Sequence, residues 1–261
     1  MNDELYLAFE NCNIIEAVLI NSLTKCRKLI VHGLMAPGTI AACARNNCLY
    51  VIDQATNSRK KIFRVKPGDG SVVNSWETDD DDRGRISVNG DGDVVMTVYD
   101  KGKVKIYSPA GKLLAERTID LSGLDIKHIF HAINLTDGTF IIGHGTYQSN
   151  IHQVCQIDAK GKILQTFGNK KGCSHAELNC PAYLAEGKYG SILVADQDNH
   201  RIIELNSDLE FVRELFTKDN CNINRPEVMF VYEKNDPALL FLGCNETRNS
   251  GGYVLVLRLG E

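Results

Sequence analysis

Residues 179–216 read NCPAYLAEGKYGSILVADQDNHRIIELNSDLEFVRELF, and this stretch decides the fold. Two short apolar runs flank the glycine-containing turn at 187–190, and a turn at 206–208 precedes the last run. Short apolar runs between turns are typical of β-strands, whereas a helix needs apolar residues that recur every 3.6 positions. The stretch therefore predicts a unit of about four antiparallel strands.

The apolar run Ile192-Leu193-Val194 has counterparts along the chain, at residues 5–7, 49–51, 94–96, 140–142 and 240–242. Successive runs begin 44, 45, 46, 52 and 48 residues apart. A period of about 40 to 50 residues with four short strands per repeat is that of a β-propeller blade. The sequence predicts complete blades at 36–78, 84–120, 128–168 and 179–217, and three-stranded blades at 4–32 and 225–259.

Residues 179–216, with Phe167-Gly168-Asn169 and Cys180-Pro181, resemble one NHL repeat. The resemblance implies an all-β, six-bladed β-propeller of the NHL type, which we expect to occupy residues 1–261 as one domain. The incomplete outer blades suggest an excerpt of a longer chain. In repeats of this kind an Asp and an Arg usually pair across a hairpin, so Asp196 and Arg201 are expected to form a structural ion pair. Asp53 and Arg59 repeat the pattern with one more residue between them.

The composition is that of an ordinary soluble globular protein, with 43% hydrophobic and 24% charged residues. The net charge of −4 argues against overall attraction to nucleic acid or to an anionic membrane, although a local basic face can still bind. No apolar run approaches the roughly 20 residues that span a bilayer. The nine cysteines form no CxxC pair, which favours free thiols and a reducing, cytoplasmic location. We expect a monomeric propeller without a membrane partner.

The face predicted to carry the links between blades is rich in basic residues, with tyrosines among them. We predict a binding face made of Arg59, Lys60, Tyr99, Lys101, Lys103, Tyr147, Arg201 and Arg248. Bases with aromatic residues suit single-stranded nucleic acid, and NHL domains of the TRIM-NHL kind bind RNA there. The acidic run at 79–82 lies on the same face and would repel phosphate. A mixed, solvated surface without a nucleic-acid role explains these residues equally well.

Histidines cluster within one predicted blade. His131 begins an inner strand and His144 ends the next, so the two imidazoles could face the same side and bind Zn²⁺. A catalytic zinc site normally has three protein ligands, and a third would have to come from His32 or His175. The simpler interpretation is that these histidines are solvated or hydrogen-bonded to backbone, so no cofactor is expected.

Catalytic motifs are missing from the sequence. It has no G-x-S-x-G elbow, P-loop or H-E-x-x-H motif, and no RING or B-box pattern. We therefore expect a non-catalytic module that binds a protein or peptide partner through one propeller face. The alternatives are an RNA-binding propeller and a metal-dependent enzyme of the lyase or lactonase kind with histidines in its channel.

Overall fold

The computed structural model describes residues 3–9, 13–55, 60–78, 83–114, 119–121, 126, 128–145, 150–247 and 250–260. The described strands form six antiparallel sheets, and the chain divides into two compact units, unit 1 with residues 1–120 and unit 2 with residues 121–261. The predicted all-β class is confirmed. No helix in these ranges is long and apolar enough to cross a membrane.

Unit 1 contains three sheets, each built from strands that follow one another in the sequence. The first has three strands, β1 (Glu4–Ala8), β2 (Ile14–Leu19) and β3 (Thr24–Ile30). The second has four strands, β4 (Pro37–Cys43), β5 (Cys48–Asp53), β6 (Lys61–Val65) and β7 (Val72–Glu77). The third also has four, β8 (Ile86–Val88), β9 (Val94–Val98), β10 (Lys103–Tyr107) and β11 (Ile119–Asp120).

Unit 2 repeats this arrangement with three further sheets. The first has four strands, β12 (Ile129–Asn134), β13 (Phe140–Gly145), β14 (His152–Ile157) and β15 (Ile163–Phe167). The next has β16 (Pro181–Glu186), β17 (Ile192–Asp196), β18 (Arg201–Leu205) and β19 (Phe211–Thr217). A four-residue helix, α1 (Lys218–Cys221), leads to the last sheet, which has β20 (Pro226–Tyr232), β21 (Ala238–Thr247) and β22 (Ser250–Leu259).

Both faces of the second strand in a complete sheet are buried, which explains the apolar runs found in the sequence. In β5, Leu49 and Val51 pack into a cluster with Tyr6 of the preceding sheet. Tyr50 and Ile52 point the other way, into the cluster that contains Met96 of the following sheet. Successive side chains of a strand alternate between its two faces, so a strand covered on both sides needs apolar residues at every position.

The same alternation organises unit 2. Ile192 and Val194 of β17 pack against Ile141 of the preceding sheet. Leu193 and Ala195 pack against the following sheet. Within each unit, the sheets are therefore held face to face by burial of apolar side chains, at roughly 25 cal/mol per Å² of apolar surface removed from water.

Candidate functional site

Asp196 and Arg201 stand opposite each other where β17 ends and β18 begins. Arg201 Nε donates to Asp196 Oδ2 at 2.8 Å. The same carboxylate accepts the Asn179 backbone N–H and the Asn199 side-chain amide, each at 2.7 Å. Burial raises the pKa of Asp196 to about 6, opposed by these donors and by the arginine, so the carboxylate is ionised at neutral pH.

The rest of the Arg201 guanidinium fixes the loop before β16. It donates to the carbonyls of Cys173 at 3.3 Å, Ser174 at 3.0 Å and Glu177 at 2.7 Å, and it pairs with Glu214 of β19. A planar guanidinium has five N–H donors in a fixed geometry, which suits several carbonyls at once. Arg201 is 4% exposed, so its charge stabilises this loop and is not accessible to a binding partner.

The β17–β18 connection, residues 197–200, is also bonded to the chain that enters the last sheet. Gln197 Nε2 donates to Glu227 Oε1 at 2.7 Å, and Gln197 Oε1 accepts from Arg225 at 3.3 Å. Arg225 forms an ion pair with Asp198, and its backbone N–H donates to His200 Nδ1 at 3.1 Å. We name residues 170–179, 197–200 and 218–227 the loop face of unit 2.

Unit 1 has a related arrangement at the end of β5. Asp53 accepts the backbone N–H groups of Met35 at 2.9 Å, Ala36 at 2.8 Å and Ala55 at 3.1 Å. The following residue, Gln54, donates to the Gly84 carbonyl at 2.7 Å, at the start of the next sheet. Gln54 and Gln197 therefore have equivalent roles that the sequence analysis missed. The repeated dipeptide Asp-Gln after a buried strand is the signal that could have identified them.

Lys60 is 5% exposed, and its ammonium donates to the carbonyls of Gln54 at 3.0 Å and Ala55 at 2.6 Å. These two bonds stabilise the connection between β5 and β6. The expectation that Lys60 and Arg201 display their charges on a binding face does not fit their burial, because both cations are occupied by backbone or carboxylate acceptors. In this unit the residue opposite Asp53 is Lys61, and Arg59 lies outside the described residues.

The other predicted face residues fall into two groups. Lys101 is exposed and Tyr99 and Lys103 are half-buried, around the β9–β10 connection. Tyr147 and Arg248 lie outside the described residues. A basic face made of the remaining predicted residues therefore stays a prediction.

The two histidines proposed for a metal lie on neighbouring strands but have other contacts. His131 Nδ1 accepts the Leu184 N–H at 3.2 Å, and its ring stacks on Tyr183 with centroids 3.8 Å apart. His144 Nε2 is 3.3 Å from the Cys155 sulfur. Burial lowers the pKa of His144 to about 4, so it is neutral at pH 7. Within the described ranges no group of three or more His, Cys, Asp or Glu residues is placed to hold a metal ion.

His152, which the sequence analysis did not propose as a metal ligand, is fully buried beside this pair. Its Nδ1 accepts the Cys180 backbone N–H at 2.7 Å, so it joins β14 to the entrance of the next sheet. The side chain thus has a structural contact like that of Asp196, which accepts the neighbouring N–H of Asn179. His131 and His152 therefore connect neighbouring sheets in unit 2.

Comparisons with solved structures show the fold. The chain is similar to a streptogramin B lyase, with 15% identity, a TM-score of 0.59, and coverage of 99% of this chain and 72% of that one. It is also similar to virginiamycin B lyase from Staphylococcus aureus (14%, 0.59, 98% and 80%) and to hydrazine synthase from Kuenenia stuttgartiensis (14%, 0.64, 93% and 70%). These neighbours are β-propeller proteins. No protein-family model and no curated protein matches the chain. At this identity the likeness defines a class, the β-propellers, and carries no activity across.

Proposed function

We propose that the chain is an NHL-like β-propeller that acts as a non-catalytic binding module for a protein or peptide, and that the loop face of unit 2 is its contact surface. The observation that carries this proposal is the internal neutralisation of that face. Arg225 on this face pairs with Asp198, and Arg201, the residue that follows the segment 197–200, pairs with Asp196 and Glu214. Lys170 of the loop face lies 2.8 Å from Glu177.

A surface of this kind favours protein over nucleic acid as the partner. Nucleic-acid affinity depends on cations that neutralise phosphates, whereas the arginines here already have carboxylate partners. Protein interfaces combine charges of both signs, which gives specificity through complementarity. The loops are also preorganised by the bonds of Asp196, Gln197 and Arg201, so little ordering entropy is lost on binding.

Charge reversal on the loop face tests the proposal. Lys171 and Lys218 are exposed there. Tyr189 is 100% exposed on the β16–β17 connection, at the other end of the same sheet. The wild-type chain and the Lys171→Glu, Lys218→Glu and Tyr189→Ala variants would be used to recover partners from cell extract treated with ribonuclease. We expect one protein to be retained by the wild type and Tyr189→Ala and lost with both lysine variants.

Two outcomes would overturn this assignment. Equal retention by all four chains would exclude the loop face as the contact surface. Ribonuclease-sensitive retention, together with binding of a single-stranded RNA that falls steeply with salt and is weakened by Lys101→Glu or Lys103→Glu, would assign RNA as the partner instead.

A further inference from the structure

Unit 1 has a cleft that none of the candidate site residues lines. A cavity of about 510 Å³ is lined by Asn46, Asn47, Cys48, Arg64, Lys66 and Asp69, among others. A second cavity of about 350 Å³ adjoins it and shares Asn47, Pro67 and Gly68. Small-molecule sites are typically clefts of about 300–1,000 Å³ with a few convergent polar groups, so the first cavity is large enough for a small organic ligand.

Two buried polar groups, one in the lining of the first cavity and one next to that lining, lack a conventional hydrogen-bond partner within the described part of the chain. Arg64 donates a long bond to the Pro109 carbonyl at 3.4 Å and interacts with the Cys48 thiol, but its buried Nε has no hydrogen-bond acceptor among the described residues. Tyr50, which lies opposite Arg64 across β5 and β6 but does not line the cavity, is 0% exposed, and its hydroxyl makes no conventional hydrogen bond within the described part of the chain. Its polar neighbours are the Cys48 thiol and the Arg64 guanidinium. A buried donor without an acceptor is unfavourable, so an oxyanion that accepts from Arg64 would relieve this cost.

The charges of the two cavities differ. In the second cavity, Arg27 is neutralised by Glu4 through two bonds of 2.6 and 2.8 Å, and it also donates to the Pro67 carbonyl at 2.7 Å. In the first cavity, Arg64 and Lys66 face one carboxylate, Asp69, which accepts the Ser71 N–H at 2.9 Å within its own turn. That hydrogen bond lowers the pKa of Asp69, which therefore stays ionised. The first cavity keeps an excess of positive charge.

We propose that this cavity is a binding site for a small organic anion, whose phosphate or carboxylate group bonds to the Arg64 guanidinium and the Lys66 ammonium. The planar guanidinium matches both kinds of oxyanion. Pro67 and Val73 give the cavity an apolar wall for the rest of the ligand. The site is independent of the loop face, so failure of one proposal leaves the other standing.

The probes are phenyl phosphate and benzoate, which share a ring and differ in the anionic group. Each would be titrated into the full chain while NMR follows the arginine Nε–H signals and the side-chain amides of Asn46 and Asn47. We expect saturable shifts for at least one probe, with a dissociation constant on the order of 1 mM, a strength of roughly 4 kcal/mol. The probe that binds more tightly identifies the class of anion.

Three variants make the test specific. Arg64→Gln and the exposed Lys66→Gln should each weaken binding by about tenfold, the effect of losing one charge-assisted bond. Asp69→Asn should strengthen it by roughly threefold, because a like charge near the anion is removed. Arg45→Gln is the matched control, since Arg45 lies in the adjacent turn and bonds to the Gly90 carbonyl at 3.1 Å, outside the cavity lining. Absence of saturable shifts with both probes, or equal affinities in wild type and Lys66→Gln, would overturn the proposal.

Discussion

The Asp196 carboxylate lies 2.8 Å from the Arg201 Nε, and the two side chains are 0% and 4% exposed. Charges buried to this extent are stable only where every donor and acceptor is used. Here the carboxylate has three donors, and the guanidinium has two carboxylates and three carbonyls. This network joins β17, β18, β19 and the loop before β16, and it therefore holds three strands of the sheet together with the segment that leads into the sheet.

Loss of one partner of this pair should be severe. Arg201→Met leaves the Asp196 charge buried without its cation, and we expect the free energy of unfolding to fall by about 3–5 kcal/mol in urea denaturation. The double variant Asp196→Leu/Arg201→Met removes both charges and should lose less than the sum of the two single variants.

A matched control lies in the same sheet. Arg213 Nε is 2.9 Å from Glu204 Oε2, but the arginine side chain is 42% exposed. Arg213→Met should therefore lose less than about 1 kcal/mol. Comparable losses in Arg201→Met and Arg213→Met would show that burial of the first pair does not govern its contribution.

Gln197 should couple the β17–β18 connection to the last sheet. Gln197→Glu places a carboxylate against Glu227, which accepts the Gln197 amide at 2.7 Å. Like charges repel at this distance, so we expect a loss of about 1–3 kcal/mol, relieved when Glu227→Gln is added. Urea denaturation of the four chains in this double-mutant cycle measures the coupling. Additive effects would contradict a direct contact.

The fold could be predicted from the sequence because its signal is local. The apolar runs mark second strands that are covered on both faces, and the predicted blades agree in their bounds with the described sheets. The predicted three-stranded units at 4–32 and 225–259 likewise correspond to β1–β3 and β20–β22. Hairpin turns and strand lengths depend on neighbouring residues, so they can be identified without knowledge of distant contacts.

The predicted ion pair of Asp196 and Arg201 is present in the structure, but the other roles of the charged residues could not be predicted in the same way. Arg201 and Lys60 were expected on a binding face, yet their burial depends on acceptors whose positions only the folded chain defines. The carbonyls of Cys173, Ser174 and Glu177 precede Arg201 by 24 to 28 residues. A basic residue after a strand looks the same in the sequence whether its partner is solvent or three backbone carbonyls.

The buried His144 should make the stability depend on acid pH. Its pKa of about 4 in the folded chain lies below the value of 6.5 for an unperturbed histidine, because burial disfavours the charged ring. The unfolded chain therefore binds the proton first, and stability falls as pH decreases from about 6.5 to 4. The full contribution is about 3 kcal/mol.

A difference measurement isolates this histidine. Asp196 titrates in an overlapping range with the opposite sign, because burial raises its pKa to about 6. Urea denaturation would measure how much stability wild type and His144→Gln each lose between pH 7 and pH 4. The difference between the two losses cancels the contribution of Asp196, which both chains share. We expect the variant to lose less stability than wild type over this interval, and equal losses would show that His144 is not kept neutral by burial.

Gly111 should be difficult to replace, for a reason that comparison with a second glycine can separate into its parts. Gly111 and Gly138 have the same φ of +84°, in the left-handed region that side chains disfavour. A Cβ at Gly111 would come within 2.6 Å of the Trp76 ring, whereas at Gly138 it would meet nothing within 4 Å. Gly138→Ala should therefore lower the free energy of unfolding only by the cost of the left-handed backbone, about 1–2 kcal/mol, and Gly111→Ala should lower it further because Trp76 must move.

Trp76 packs against Tyr50 and Tyr107 with centroids 6.1 and 6.0 Å away, and it is the single tryptophan of the chain. Its fluorescence should shift in Gly111→Ala and stay unchanged in Gly138→Ala, and equal unfolding free energies with identical spectra would show that the ring does not limit this position.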